Sequence, residues 1–376
     1  MKITHDEKPS IPVSGVTLEF KKDWGETKER FLLWWGHEYF GRCAMAVTAP
    51  RKKPPHIPRP PAPESPQQRW YDLDWISRNM NSCLSATFFG GEALPVWNAG
   101  YAGVSAIPAL LGCPTDIDME TAWWYPILTA SDMIDYRSLR LDTDQTGYQF
   151  TMRMLERAVN ESRGKSLPSI GALGGCGDTL AALRGTAQLL VDCLERADVV
   201  RAAEEYLMDM WIEFYTRCYD IVRAGAEGST CWFTLWGPGK FYPAHNDFSY
   251  NIGPDTFREI FLPVIQRQTE FLDYTVYHVD GIEAFKHVGA LCELPRLQAI
   301  QILPGAGKPS PLHYMDTLKQ VQAAGKNLHI SIAAEEVQYA LVHLSARGLF
   351  IDTSAPSEDE ARDLLRMAER WSVDRG

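Results

Sequence analysis

The sequence predicts an α/β chain closed into an eight-stranded barrel, and three observations carry that reading. Short β-branched and aromatic runs, the composition of buried strands, recur at 43–49, 92–97, 167–173, 229–236, 273–279, 297–303, 328–333 and 348–352. From residue 167 onward, amphipathic helical stretches separate these runs, which calls for parallel pairing with right-handed crossovers. Eight such strands favour closure over an open sheet.

Taken in order, residues 1–23 are polar and read as a loosely attached arm. Residues 24–40 have helical spacing around Phe31, Leu32 and Trp35, ahead of the first strand. The 51–66 stretch holds seven prolines in sixteen residues. It can form neither helix nor central strand, so it reads as a polyproline excursion toward the rim of a site or a second subunit. A helix over 70–85 precedes an extended segment at 88–97, and 100–126, with Trp123-Trp124, reads as an elaborated loop. The helix over 146–162 leads to strand 167–173, which flows into Gly174-Gly175-Cys176-Gly177-Asp178. A glycine cluster between strand and helix can cradle phosphate, but the dinucleotide fingerprint and the phosphate-loop lysine are both missing here. Helices over 180–193 and 199–224 lead to strand 229–236. The segment 242–250 carries His245-Asn246-Asp247, and Pro254 is well placed to start the next helix. Helices at 282–294, 314–324 and 357–372 punctuate the remaining strands. The 376 residues read as one domain.

Hydrophobic residues make up 45% and charged residues 23%, enough for a sizeable core. A net charge of −11 with no basic stripe argues against a nucleic-acid partner. No apolar run is long enough to cross a bilayer, and the amino terminus lacks the apolar stretch of a signal peptide. The eight cysteines are scattered with no Cys-x-x-Cys pair, as buried free thiols in a reducing compartment would be. A cytoplasmic location is the expectation.

The candidate chemistry centres on 273–281, where the strand ends in His278-Val279-Asp280-Gly281. Residues two apart on an extended chain point the same way. His278 and Asp280 are therefore expected to emerge together at a strand's carboxyl end, where barrels keep their catalytic groups. The alternative makes Asp280 a helix cap and His278 a satisfied core histidine. His245 and Asp247, also two apart, are expected to join them as orienting or proton-accepting groups. Glu92 and Asp178 are strand-end acids counted with the substrate-binding set, together with Tyr277 and Gln301. Tryptophans 97, 123, 124, 232 and 236 fall at strand ends or in the long loop, where aromatic walls could hold a cation. Trp97 and Trp236 are the expected lining residues. Neither a Gly-x-Ser-x-Gly elbow nor a nucleophilic cysteine setting is present.

The order of His245-Asn246-Asp247, Gly253-Pro254-Asp255-Thr256-Phe257, Pro263, Tyr277-His278-Val279-Asp280-Gly281, Ala299-Ile300-Gln301, Pro304-Gly305 and Gly325-Lys326-Asn327-Leu328 resembles the uroporphyrinogen decarboxylase superfamily. That superfamily includes zinc-dependent methyltransferases of corrinoid and coenzyme M metabolism and the cobalamin-independent methionine synthases. The resemblance covers roughly 167–372 and implies a TIM-type (β/α)8 barrel. It also implies methyl transfer from a small methylated substrate to a thiol or to a corrinoid carried by a partner protein, with zinc or another divalent ion assisting. Family methyltransferases hold zinc with a His-x-Cys pair, often an acid on the next strand, and a cysteine on the last. Here those positions read His278-Val279-Asp280, Gln301 and Asp352, so the expected ligands are His278, Asp280 and Asp352, a sulfur-free set. The arginine-rich segment of porphyrinogen decarboxylases is not reproduced around 40–51, so that particular reaction is not expected. Two other outcomes stay open. One is a decarboxylase or other lyase using His278 and Asp280 as acid and base; the other is a ligand-binding protein without catalysis. The proline stretch and the tryptophan surplus leave room for a homodimer.

Overall fold

In the computed structural model, residues 17–98, 106–130 and 134–376 are described. Seven strands form one sheet: β1 (Ala44–Pro50), β2 (Thr87–Gly91), β3 (Phe241–His245), β4 (Tyr274–Asp280), β5 (Ala299–Leu303), β6 (Asn327–Ser331) and β7 (Leu349–Ser354). Their order is β2-β1-β7-β6-β5-β4-β3. Every pairing is parallel except β1 with β2, which runs antiparallel at one edge.

The closed eight-stranded barrel expected from the sequence is not what the hydrogen bonds make. Three expected strands shrink to two-residue pieces, Val96–Trp97, Leu167–Pro168 and Ser229–Thr230. Prolines 95 and 168 lack the N–H that a ladder needs, which explains two of these contractions. Side chains and single bridges take over there. Phe241 N–H donates to Ser229 Oγ at 2.8 Å, Ile170 bridges Cys231, and Val96–Trp97 pairs parallel with Leu167–Pro168. The antiparallel β2 and the strand β3, expected only as an extended segment and a loop, complete the seven.

Helices pack outside the sheet. α1 (Trp24–Trp35) buries Trp24, Phe31, Trp34 and Trp35 against it, and α2 (Cys176–Arg184) leads toward the 30-residue α3 (Ala197–Ala226). Of the polar arm expected over 1–23, residues 17–23 are packed rather than loose. Leu18 and Phe20 are buried, and Lys21 Nζ donates to the Gly91 carbonyl at 2.6 Å. The rest of the arm lies outside the described residues. The proline-rich 51–66 stretch does run along the surface, and no described helix is long and apolar enough to cross a membrane.

Candidate functional site

β4 ends with His278 and Asp280, and pairing sets their neighbours. His278 is in register with His245 of β3 on one side and Gln301 of β5 on the other, and Gln301 with His329 of β6. The sheet therefore lays His245, His278, Gln301 and His329 in one row across four adjacent strands. The alternation of side chains puts Asp280 on the same face as His278.

Beside the start of that row lies a cavity of about 290 Å³, lined by Asp178, His245, Asp247, His278 and Asp280, with Trp124 and Trp232 among its walls. His278 and Asp280 thus open into one cleft, as the sequence reading required. They do not touch as a bonded pair, since Nε2 stands 4.0 Å from the Asp280 carboxylate. His278 Nδ1 instead lies 2.5 Å from Gln301 Oε1. A carbonyl-type oxygen only accepts, so Nδ1 carries the hydrogen and Nε2 presents its lone pair.

Asp178 comes from the first turn of α2, and glycines let that turn approach. A Cβ on Gly175 would sit 2.1 Å from the His245 carbonyl oxygen, and one on Gly177 would strike the Asn246 side chain. The glycine cluster thus serves as a close-packing device that brings Asp178 Oδ2 within 3.0 Å of His245 Nδ1. Phe248 N–H donates to the other carboxylate oxygen at 2.9 Å, fixing its orientation.

The electrostatics divide the two histidines. Burial, then the neighbouring His245, lowers the His278 pKa to about 4, so it is neutral near pH 7. Burial works the same way on His245, but the Asp178, Asp247 and Asp280 carboxylates outweigh it and raise its pKa. Asp247 meets solvent at the rim. The protein around it and the Asp178 charge nevertheless push its pKa up to about 7, and burial also raises Asp280.

Other expected site residues lie elsewhere. Trp97 and Trp236 are sealed in the core, with Trp236 edge-on to Trp24 at 5.4 Å and its Nε1–H given to the Ala226 carbonyl at 2.9 Å. The aromatic lining comes instead from Trp124, on the hairpin of Thr115–Ile117 with Ala122–Trp124, and from Trp232. Trp232 stands edge-on to both His278 and His245, at 5.5 and 6.1 Å. Tyr277 is buried and lines no described cavity, while Gln301 acts through His278. Glu92 is buried near the start of β1, where both its oxygens meet the Arg42 guanidinium at 2.7 Å and Met45 N–H at 2.6 Å. It is a structural ion pair away from the cavity.

Asp352 borders a second, larger cavity of about 900 Å³, together with Thr48, Thr234, Ser331 and Ser354. Its carboxylate is 2.5 Å from His329 Nε2. Phe233 packs edge-on against both His278 and His329 at 5.5 and 5.6 Å. The structure therefore does not gather His278, Asp280 and Asp352 as one ligand set. Among the described residues the three whose ligand atoms converge are Asp178, His245 and Asp247, within 4.8 Å of one another. All eight cysteines are free, and none lines the 290 Å³ cavity. His329, Trp232 and Phe233 escaped the sequence reading, because only strand register shows His329 to be level with His278.

No protein-family model matches the sequence, and no curated protein does. Among solved structures, a methyltransferase from Methanosarcina mazei aligns over 92% of this chain and 98% of its own, at a TM-score of 0.59 and 12% identity. The two share an architecture. At that identity the likeness is one of fold.

Proposed function

We propose that this protein is an enzyme that moves a methyl group from a small methylated substrate, bound in the 290 Å³ cavity, to a thiol or corrinoid acceptor. The observation that carries the reading is the pair of imidazoles in one cleft whose surroundings pull their protonation apart. Groups held in opposite protonation states are the natural acid and base of a reaction. His245, kept cationic by its carboxylates, donates a proton to the heteroatom that loses its methyl group. His278, kept neutral with Nε2 free, accepts the proton of an incoming thiol. The fold shared with a methyltransferase along nearly the whole chain accords with this assignment.

Three carboxylates and two tryptophans around the cleft favour a substrate bearing positive charge, such as a methylated amine. A corrinoid acceptor would come on a partner protein, with the 900 Å³ cavity as the roomier approach. The barrel in this reading has its eighth position filled by the short segments near 96, 168 and 230.

A zinc ion held as in the resembling methyltransferases does not fit. No thiolate reaches the cavity, and Asp352 is engaged by His329 in the neighbouring one. No step is routed through such an ion.

A second reading rests on Asp247. A carboxyl group with a pKa near 7 could protonate a carbanion after loss of carbon dioxide, which would make the enzyme a lyase. Incubation with methylated amines, alcohols and thioethers, with and without thiol or reduced corrinoid, separates the two. Methyl transfer is expected; carbon dioxide release from a carboxylated substrate panel would favour the lyase.

A further inference from the structure

We propose that Asp178, His245 and Asp247 bind one divalent cation through nitrogen and oxygen alone, in place of the His278, Asp280 and Asp352 positions that the resemblance implies. The inference rests on reading this cavity as the active centre, but not on the reaction assigned to it. The three side chains come from two elements that meet here: the first turn of α2 gives Asp178, and the end of β3 with the turn after it gives His245 and Asp247. One potential ligand atom from each lies within 4.8 Å of the other two.

A second observation is independent of that clustering. His245 Nδ1 and Asp178 Oδ2 are shielded from solvent, face each other at 3.0 Å, and make no hydrogen bond. Buried polar atoms left so are uncommon and call for an explanation such as an ion. The spacing suits one. Two ligands at right angles, each about 2.1 Å from a metal ion, lie roughly 3.0 Å apart, the edge of an octahedron. The remaining Asp178 oxygen is held by Phe248 N–H, the kind of outer contact that orients a metal ligand. One imidazole with two carboxylates suits a first-row divalent ion in the manganese-to-zinc range better than a soft, thiolate-seeking one.

The test uses the full-length protein freed of metal by chelation. Mn2+ is titrated and followed by electron paramagnetic resonance, and Zn2+ is titrated by calorimetry. Wild type, His278→Ala and Asp352→Asn are each expected to bind one ion per chain. Asp178→Asn and His245→Ala are expected to bind at least about tenfold more weakly, a loss of the size seen when a metal site is perturbed. Asp247→Asn, at the solvent-exposed rim, supplies a variant whose folding is least at risk and is expected to weaken binding in the same sense. Circular dichroism checks each fold. Absence of stoichiometric binding of both ions by wild type would overturn the site. So would binding abolished in His278→Ala but retained in Asp178→Asn. Stoichiometric binding without methyl transfer supports this site while removing the proposed reaction; transfer by a protein that binds neither ion does the reverse.

Discussion

His278 is defined by what surrounds it. Gln301 fixes which ring nitrogen carries the hydrogen, and burial keeps the ring neutral. His278→Ala should lower kcat by about a hundredfold or more, the usual contribution of a positioned acid or base, with little change in the unfolding midpoint. Gln301→Leu should act through the same ring, and its signature is a change in the pH profile of kcat beyond any change in KM. Asp247 has the opposite tendency. Its folded pKa, about 7, lies above the unfolded carboxylate value, so the stability it contributes is present in acid and lost as pH rises toward 7. Asp247→Asn should therefore gain denaturant midpoint relative to wild type between about pH 4 and pH 7, and the difference should then level off. A midpoint difference independent of pH would show that the carboxyl group titrates normally.

At the scale of elements, the site depends on how closely α2 can approach the end of β3. Gly175→Ala puts a Cβ 2.1 Å from the His245 carbonyl oxygen, where backbone must move. A destabilisation of roughly 2 kcal/mol or more is expected in chemical denaturation, along with a displaced His245. The sequence signals this junction only as a glycine cluster, and nothing local reveals that its partner is a strand some seventy residues later. By contrast β4, read as 273–279, forms at Tyr274–Asp280, and the helix read over 146–162 forms over Thr146–Ser162. Their patterns are local and undisturbed by proline. The expected strands 167–173 and 229–236 fail because short polar and glycine-rich joints, with Pro168, replace the ladder. The candidate site was half legible. His278, Asp280, His245, Asp247 and Asp178 converge because spacing along a strand is visible in sequence. Trp97 and Trp236 were misplaced because a buried tryptophan and a cavity wall have the same composition. His329 was missed because register between strands is written nowhere in a single segment.

For the molecule as a whole, stability and chemistry occupy different places. Glu92 is fully enclosed near the start of β1, and the Arg42 and Arg30 guanidiniums and the Met45 N–H hold it. Burial opposes its charge, but Arg42 and the other partners win and bring its pKa down to about 2. The stability it lends is therefore present above the ordinary carboxylate range and lost as pH falls toward 2. Glu92→Ala strands two guanidiniums and should cost about 3–5 kcal/mol in global unfolding, while the folded fraction keeps its turnover. A matching loss of kcat in well-folded Glu92→Ala would place the residue in the site after all. The active face, with its 290 and 900 Å³ cavities, gathers the carboxylates and histidines instead.

The account turns on whether the two-histidine cleft moves a methyl group. The most direct measurement follows 13C-methyl-labelled amines, alcohols and thioethers by NMR in the presence of a thiol or reduced corrinoid. Label appearing on the acceptor with wild type, and at most about a hundredth as fast with His278→Ala, is the predicted result. Label that stays on every donor, or equal transfer by His278→Ala, would contradict it.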